Sequence, residues 1–76
     1  MMVTIAKVHE NLFSGEAESL SVTTSEGQIT ILPKHEPLVA NLRAGVVTVK
    51  TAGGTQVYDI AGGVLEVSHN QVTVLL

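Results

Sequence analysis

Apolar and polar residues alternate along most of this chain with a period of two, the spacing of a half-buried β-strand. Val3 to Val8 sets Val3 and Ile5 against Thr4 and Lys7 and predicts a first strand. His9-Glu10-Asn11 interrupts it, and Leu12-Phe13 leads into Ser14-Gly15, a turn signal. Glu16 to Thr24 alternates over nine residues, with Ala17 out of phase with Leu20 and Val22, so a bulge is expected between them. Ser25-Glu26-Gly27 predicts a tight turn, and Gln28 to Leu32 the returning strand of a hairpin. Pro33 to Gly45 reads as a thirteen-residue connection. Val46 to Thr51 and Gln56 to Ala61 predict two more strands about an Ala52-Gly53-Gly54-Thr55 turn. Gly62-Gly63 predicts a bend or bulge, because glycine reaches backbone angles that a Cβ opposes. Val64 to Ser68, a His69-Asn70 turn and Gln71 to Leu75 form a final hairpin. No stretch carries helical periodicity. Seven or more short strands at this spacing predict an all-β sandwich or barrel.

The most informative segment is Gln28 to Leu38, where a strand runs into Pro33-Lys34-His35-Glu36-Pro37. Neither proline can donate to a sheet ladder, and each biases its predecessor away from helix. The strand must therefore end in a stiff, non-repetitive loop with a histidine at its centre. Such loops are where small β domains place contact surfaces.

Seventy-six residues make one domain, 1–76, that buries roughly 60% of its unfolded surface. Phe13 and Tyr58 are the only aromatics, so the core is expected to be built from Val, Ile, Leu and Ala. Without cysteine there are no disulfides and no thiolate metal sites. A net charge of −3, with Lys7, Lys34, Arg43 and Lys50 scattered, lacks the basic clusters that phosphate binding requires. No apolar run approaches the roughly 20 residues of a helical membrane span.

Candidate chemistry is sparse. His9-Glu10, His35-Glu36 and His69 offer metal-ligand side chains, but without a local pair of histidines at ligand spacing they read as turn residues. No nucleophile elbow is present, and Asp59 is the only aspartate, so no enzyme is expected and no cofactor is called for. The paired glycines neither open a helix nor precede Lys-Ser/Thr, as a phosphate cradle would. Glu16, Glu18 and Glu66 alternate with apolar neighbours, as solvent-facing strand positions do. Lys50 raises one alternative, a biotinyl- or lipoyl-type carrier domain or a generic protein-binding module. Carrier lysines sit at a turn tip beside Met or Asp, however, whereas Val49-Lys50-Thr51 precedes its turn.

The order of motifs resembles the N-terminal β-sandwich domain of the epsilon subunit of F-type ATP synthases, over essentially the whole chain. The resemblance is carried by Leu12-Phe13-Ser14-Gly15-Glu16-Ala17, Glu26-Gly27, and Ile31-Leu32-Pro33 with His35 and Pro37-Leu38. It continues through Leu42 and Gly45, then Gly62-Gly63 with Leu65-Glu66-Val67, and ends at Asn70 with Val72-Thr73-Val74-Leu75. Singly these pieces are weak; in this order they are specific. The resemblance implies a flattened sandwich of two five-stranded sheets, about ten short strands in all. It also implies a non-catalytic rotor component of the central stalk, binding the gamma subunit and resting on the membrane ring of c subunits. Such a domain is peripheral to the membrane, at the cytoplasmic face of a bacterial inner membrane or its organellar equivalent. By position, Ser25, Glu26, Gly27, Gln28 and His35 are expected to meet the c ring. Lys7 and the loop Pro33, Lys34, His35, Glu36, Pro37 and Leu38 are expected near gamma.

Two departures qualify the resemblance. The family usually has glycine where this chain has Thr30 and Lys34, and a small residue where it has Glu36, so the loop is expected to differ in detail. The family's helical hairpin, which carries inhibition of hydrolysis and in some members ATP binding, has no counterpart in these residues. The chain is therefore expected to be one domain of a longer protein or a short form, and neither property carries over.

Overall fold

The computed structural model describes residues 1–76, and alternation dictates nearly all of it. Seven strands follow one another: β1 (Met2–Lys7), β2 (Glu10–Glu16), β3 (Ser19–Thr24), β4 (Gly27–Ile31), β5 (Leu38–Thr51), β6 (Gly54–Ser68) and β7 (Gln71–Leu75). There is no helix. The strands form one continuous hydrogen-bonded sheet in the order β2-β1-β7-β6-β5-β3-β4. Only β1 and β7 pair in parallel; every other neighbour is antiparallel.

The sheet becomes a sandwich because β5 and β6 fold over. A straight fifteen-residue strand such as β6 would reach about 50 Å, but the longest dimension of the molecule is 26 Å. Inward-facing positions mark the corner. On β5 the inward set is Leu38, Ala40 and Leu42, then Val47 and Val49, with Arg43 and Ala44 both exposed between them. On β6 it is Ile60, then Leu65 and Val67, with the change of phase at Gly62-Gly63. Register along β5–β6 is unbroken from Leu38↔Val67 to Thr51↔Gly54, so both strands turn the corner together. Gly63 makes this possible. Its φ is 153°, and a Cβ built there would collide with the Leu75 carbonyl oxygen.

The first layer therefore holds β2, β1, β7 and the adjoining halves of β6 and β5; the second holds the other halves with β3 and β4. Fifteen buried aliphatic residues fill the space between them, among them Ile5, Leu20, Ile31, Leu65 and Val74. At one margin the Tyr58 hydroxyl lies 3.3 Å from the Leu12 carbonyl of β2 and 2.6 Å from Gln56 Oε1.

The all-β sandwich and its aliphatic core agree with expectation, but several boundaries need correction. The expected ten short strands in two five-stranded sheets are seven strands in one folded sheet, because the corners do not break hydrogen bonding. Ser14-Gly15 is no turn: it lies inside β2, where Ser14 pairs with Thr4 and Gly15 with Val3. A bulge falls at Leu12, since Ile5 faces Phe13 and Ala6 faces Asn11, and the β3–β5 register shifts between Ser21 and Thr24 rather than between Ala17 and Leu20. The phase break at Ala17 is the passage between layers. The Ala17 amide donates to Met1 O in the first layer (2.8 Å), and the next amide, Glu18, donates to Lys50 O in the second (2.7 Å). The thirteen-residue connection shrinks to residues 32–37, because Leu38 already pairs with Val67.

Candidate contact site

The loop after β4 is built from its prolines outward. The His35 amide donates to Leu32 O at 3.1 Å, closing a four-residue turn with Pro33 and Lys34 at its centre. Proline presets φ at the first central position, and Lys34 at the second has φ 66°. That is the pattern of a type II turn, whose second central position favours glycine. Lysine thus adopts here the left-handed backbone that such a turn demands. Thr30, the other departure, holds an ordinary strand position: it faces Ser21, and their hydroxyls are 3.1 Å apart.

The turn is held from outside by one bond. The Lys34 amide donates to Asn70 Oδ1 at 2.8 Å, across 36 positions of sequence. Asn70 lies in the two-residue turn between β6 and β7, where His69 and Asn70 both have positive φ, 52° and 60°. Asparagine tolerates that region better than most residues, and such paired angles define the hairpin turn whose twist matches its strands. Beyond the turn, His35 Nδ1 lies 2.8 Å from the Glu36 carbonyl oxygen. A carbonyl only accepts, so Nδ1 carries the hydrogen and Nε2 is left to face solvent. Pro33, Lys34, His35, Glu36 and Pro37 are all exposed, and Leu32 is 56% exposed despite being apolar. Beside them runs a shallow open groove of about 380 Å³ lined by Pro37, Leu38, Val39, Glu66, Val67 and Ser68.

The other expected contact residues fall in two further places. Ser25, Glu26, Gly27 and Gln28 form the exposed tip of the β3–β4 hairpin. Thr24 Oγ1 organises that tip by accepting the Glu26 amide (3.1 Å) and donating to Gly27 O (2.9 Å). This tip and the proline loop sit at opposite ends of β4, about 16 Å apart along the strand. A partner touching both must therefore extend along the β4 edge. Lys7 ends β1 at the turn containing Val8 and His9. The opposite end of β1 is the one beside Asn70, since the Met2 amide donates to Asn70 O at 3.2 Å. Lys7 thus stands roughly a strand length, about 16 Å, from the proline loop. The structure joins Pro33–Leu38 to the β6–β7 turn and leaves Lys7 apart. His9 likewise sits a strand away from His35 and His69. Lys50 lies within β5 opposite Thr55, ahead of the turn rather than at its apex.

Sequence reasoning missed Asn70 as part of this site. The His69-Asn70 pair signalled a turn, but nothing local to it specifies a bond to Lys34.

This folded-over sheet has known counterparts. Residues 1–76 match the family described as ATP synthase, Delta/Epsilon chain, beta-sandwich domain. The chain belongs to this family. It is 42% identical over 77 aligned residues to an ATP synthase epsilon chain of Herminiimonas arsenicoxydans, covering 99% of this chain and 55% of that one. It is 40% identical to the epsilon chain of Polaromonas naphthalenivorans, covering 96% and 54% respectively. The chain therefore spans about half the length of the curated relatives it matches. Among solved structures, it superposes with a TM-score of 0.88 on a chain of the Euglena gracilis mitochondrial ATP synthase, in a structure of OSCP/F1/c-ring. Identity there is 28%, over 96% of this chain and 48% of that one. A chain of the Tetrahymena thermophila central stalk/c-ring structure superposes at 0.84 with 15% identity, which shows the shared fold.

Proposed function

We propose that this domain is a non-catalytic rotor component of a proton-translocating ATP synthase, joining the gamma subunit to the c ring so that the two turn together. The observation that carries the proposal is the family match along the whole chain, with epsilon-chain relatives at about 40% identity. The geometry suits the task. Coupling rotation demands stiffness and adhesion rather than bond chemistry. A sheet hydrogen-bonded without interruption around its corner resists shear between its layers, and a loop braced by two prolines loses little entropy on docking. Adhesion is assigned to Ser25, Glu26, Gly27, Gln28 and His35 toward the c ring. The loop Pro33 to Leu38 is assigned toward gamma, with Lys7 as a separate gamma contact. This reading places the domain at the cytoplasmic face of a bacterial inner membrane, peripheral and held through its partners; bacterial relatives support that choice.

Retention of the protein by gamma plus c ring, compared with retention of an unrelated β-sandwich, tests the proposal. Retention well above that background is expected, and equality with it ends the reading. His35→Ala narrows the test. The His35 imidazole is exposed and its one hydrogen bond is to the neighbouring Glu36 carbonyl, so the substitution is expected to weaken assembly while leaving the melting temperature nearly unchanged. A large loss of stability would instead make His35 a structural residue.

A further inference from the structure

We propose that Asn70 is a positioning residue for the contact loop, holding Lys34 and therefore Pro33 to Leu38 in the shape that docks. The inference rests on the coupling role proposed above and adds to it the β6–β7 turn.

Asn70 is used twice. Its backbone carbonyl accepts the Met2 amide at 3.2 Å, and its side-chain carbonyl accepts the Lys34 amide at 2.8 Å. One residue thus ties the start of β1, the β6–β7 turn and the proline loop together. Before the chain enters β5 at Leu38, which pairs with Val67, the loop has no other hydrogen bond to the rest of the molecule: the His35 amide and His35 Nδ1 both bond within the loop. Its prolines have no amide to give. Meanwhile Lys34 occupies a left-handed angle that lysine disfavours. Released from Asn70, Lys34 would relax toward negative φ, and the segment through His35 would swing with it. A segment that must be reordered on docking binds more weakly than one already in place. The asparagine amide thereby does what a glycine at position 34 would do without help.

The test compares Asn70→Gly with Asn70→Asp in the full-length protein, measuring affinity for gamma plus c ring together with exchange of the Lys34 amide in the free protein. Glycine keeps the turn, because it adopts φ near 60° freely, but removes the acceptor. Aspartate keeps an acceptor oxygen in the same place. Asn70→Gly is expected to lower affinity about tenfold, the worth of one hydrogen bond, and to expose the Lys34 amide to exchange. Asn70→Asp is expected to retain both affinity and protection. Unchanged affinity in Asn70→Gly overturns the inference. So does lost affinity with Lys34 still protected, which would mean that Asn70 touches the partner directly. If the unsubstituted protein fails to bind, the coupling role itself falls, and Lys34 exchange still reports separately whether Asn70 orders the loop.

Discussion

At the scale of single residues, one lysine holds a backbone angle that suits glycine better. Lys34 stands at φ 66°, where a turn led by Pro33 favours glycine. A left-handed angle costs a residue with a Cβ roughly 1–2 kcal/mol, while glycine returns part of that gain through a freer unfolded chain. Lys34→Gly is therefore expected to raise stability by up to about 1 kcal/mol, read as a higher urea midpoint at constant slope. A lower midpoint would show that the lysine stem packs usefully on the loop. The lysine at this position was legible as a departure from the resemblance, and the turn at His69-Asn70 was legible from its residues. The bond joining them was not. Residues 36 positions apart meet only once β4 and the β6–β7 hairpin have been placed.

At the scale of elements, two of the tight hairpins are built alike. Thr24-Ser25-Glu26-Gly27 and Thr51-Ala52-Gly53-Gly54 each have a threonine hydroxyl that donates to the carbonyl of the fourth residue, at 2.9 Å in both. Each hydroxyl also accepts an amide from within the turn, Glu26 at 3.1 Å and Gly53 at 3.2 Å. Their surroundings differ, for Thr24 is 5% exposed and Thr51 is more open to water. Where water is excluded, a lost hydroxyl leaves donor and acceptor without a substitute. Thr24→Val is expected to cost about 1–2 kcal/mol and Thr51→Val about 0.5 kcal/mol, measured by thermal denaturation of both variants. Equal costs would mean that burial does not set the strength of these turns. Alternation predicted most strands correctly, since a period of two needs no knowledge of partners. It failed at Ser14-Gly15, where small residues that suggest a turn are held in a strand by pairing with Thr4 and Val3. It also cut β5 and β6 into pieces, because a change of inward phase looks like an end when only one strand is in view.

At the scale of the whole molecule, both layers depend on one corner. Gly63 faces Leu42 across β5–β6, and its missing Cβ makes room for the Leu75 carbonyl. Gly63→Ala must both strain the backbone and displace β7, whereas Gly15→Ala would meet only the Phe13 ring at ordinary contact distance, 3.7 Å. The first is expected to lose about 2 kcal/mol or more, and the second to change stability by less than about 1 kcal/mol. Denaturant unfolding of the two variants checks this. A mild Gly63→Ala would show that the corner can open without loss of the fold.

The all-β class, the aliphatic core, the glycine corner and the exposed proline loop can all be read from short runs of residues. Each of these follows from local rules: side-chain alternation, the missing Cβ of glycine, the missing amide of proline. Tertiary structure alone decided that the two layers are one uninterrupted sheet and that Lys7 stands apart from the proline loop. It alone also decided that Asn70 holds Lys34. These depend on which distant strands become neighbours, and hydrogen bonds between distant segments are fixed by the packing of the whole core rather than by any short run of residues.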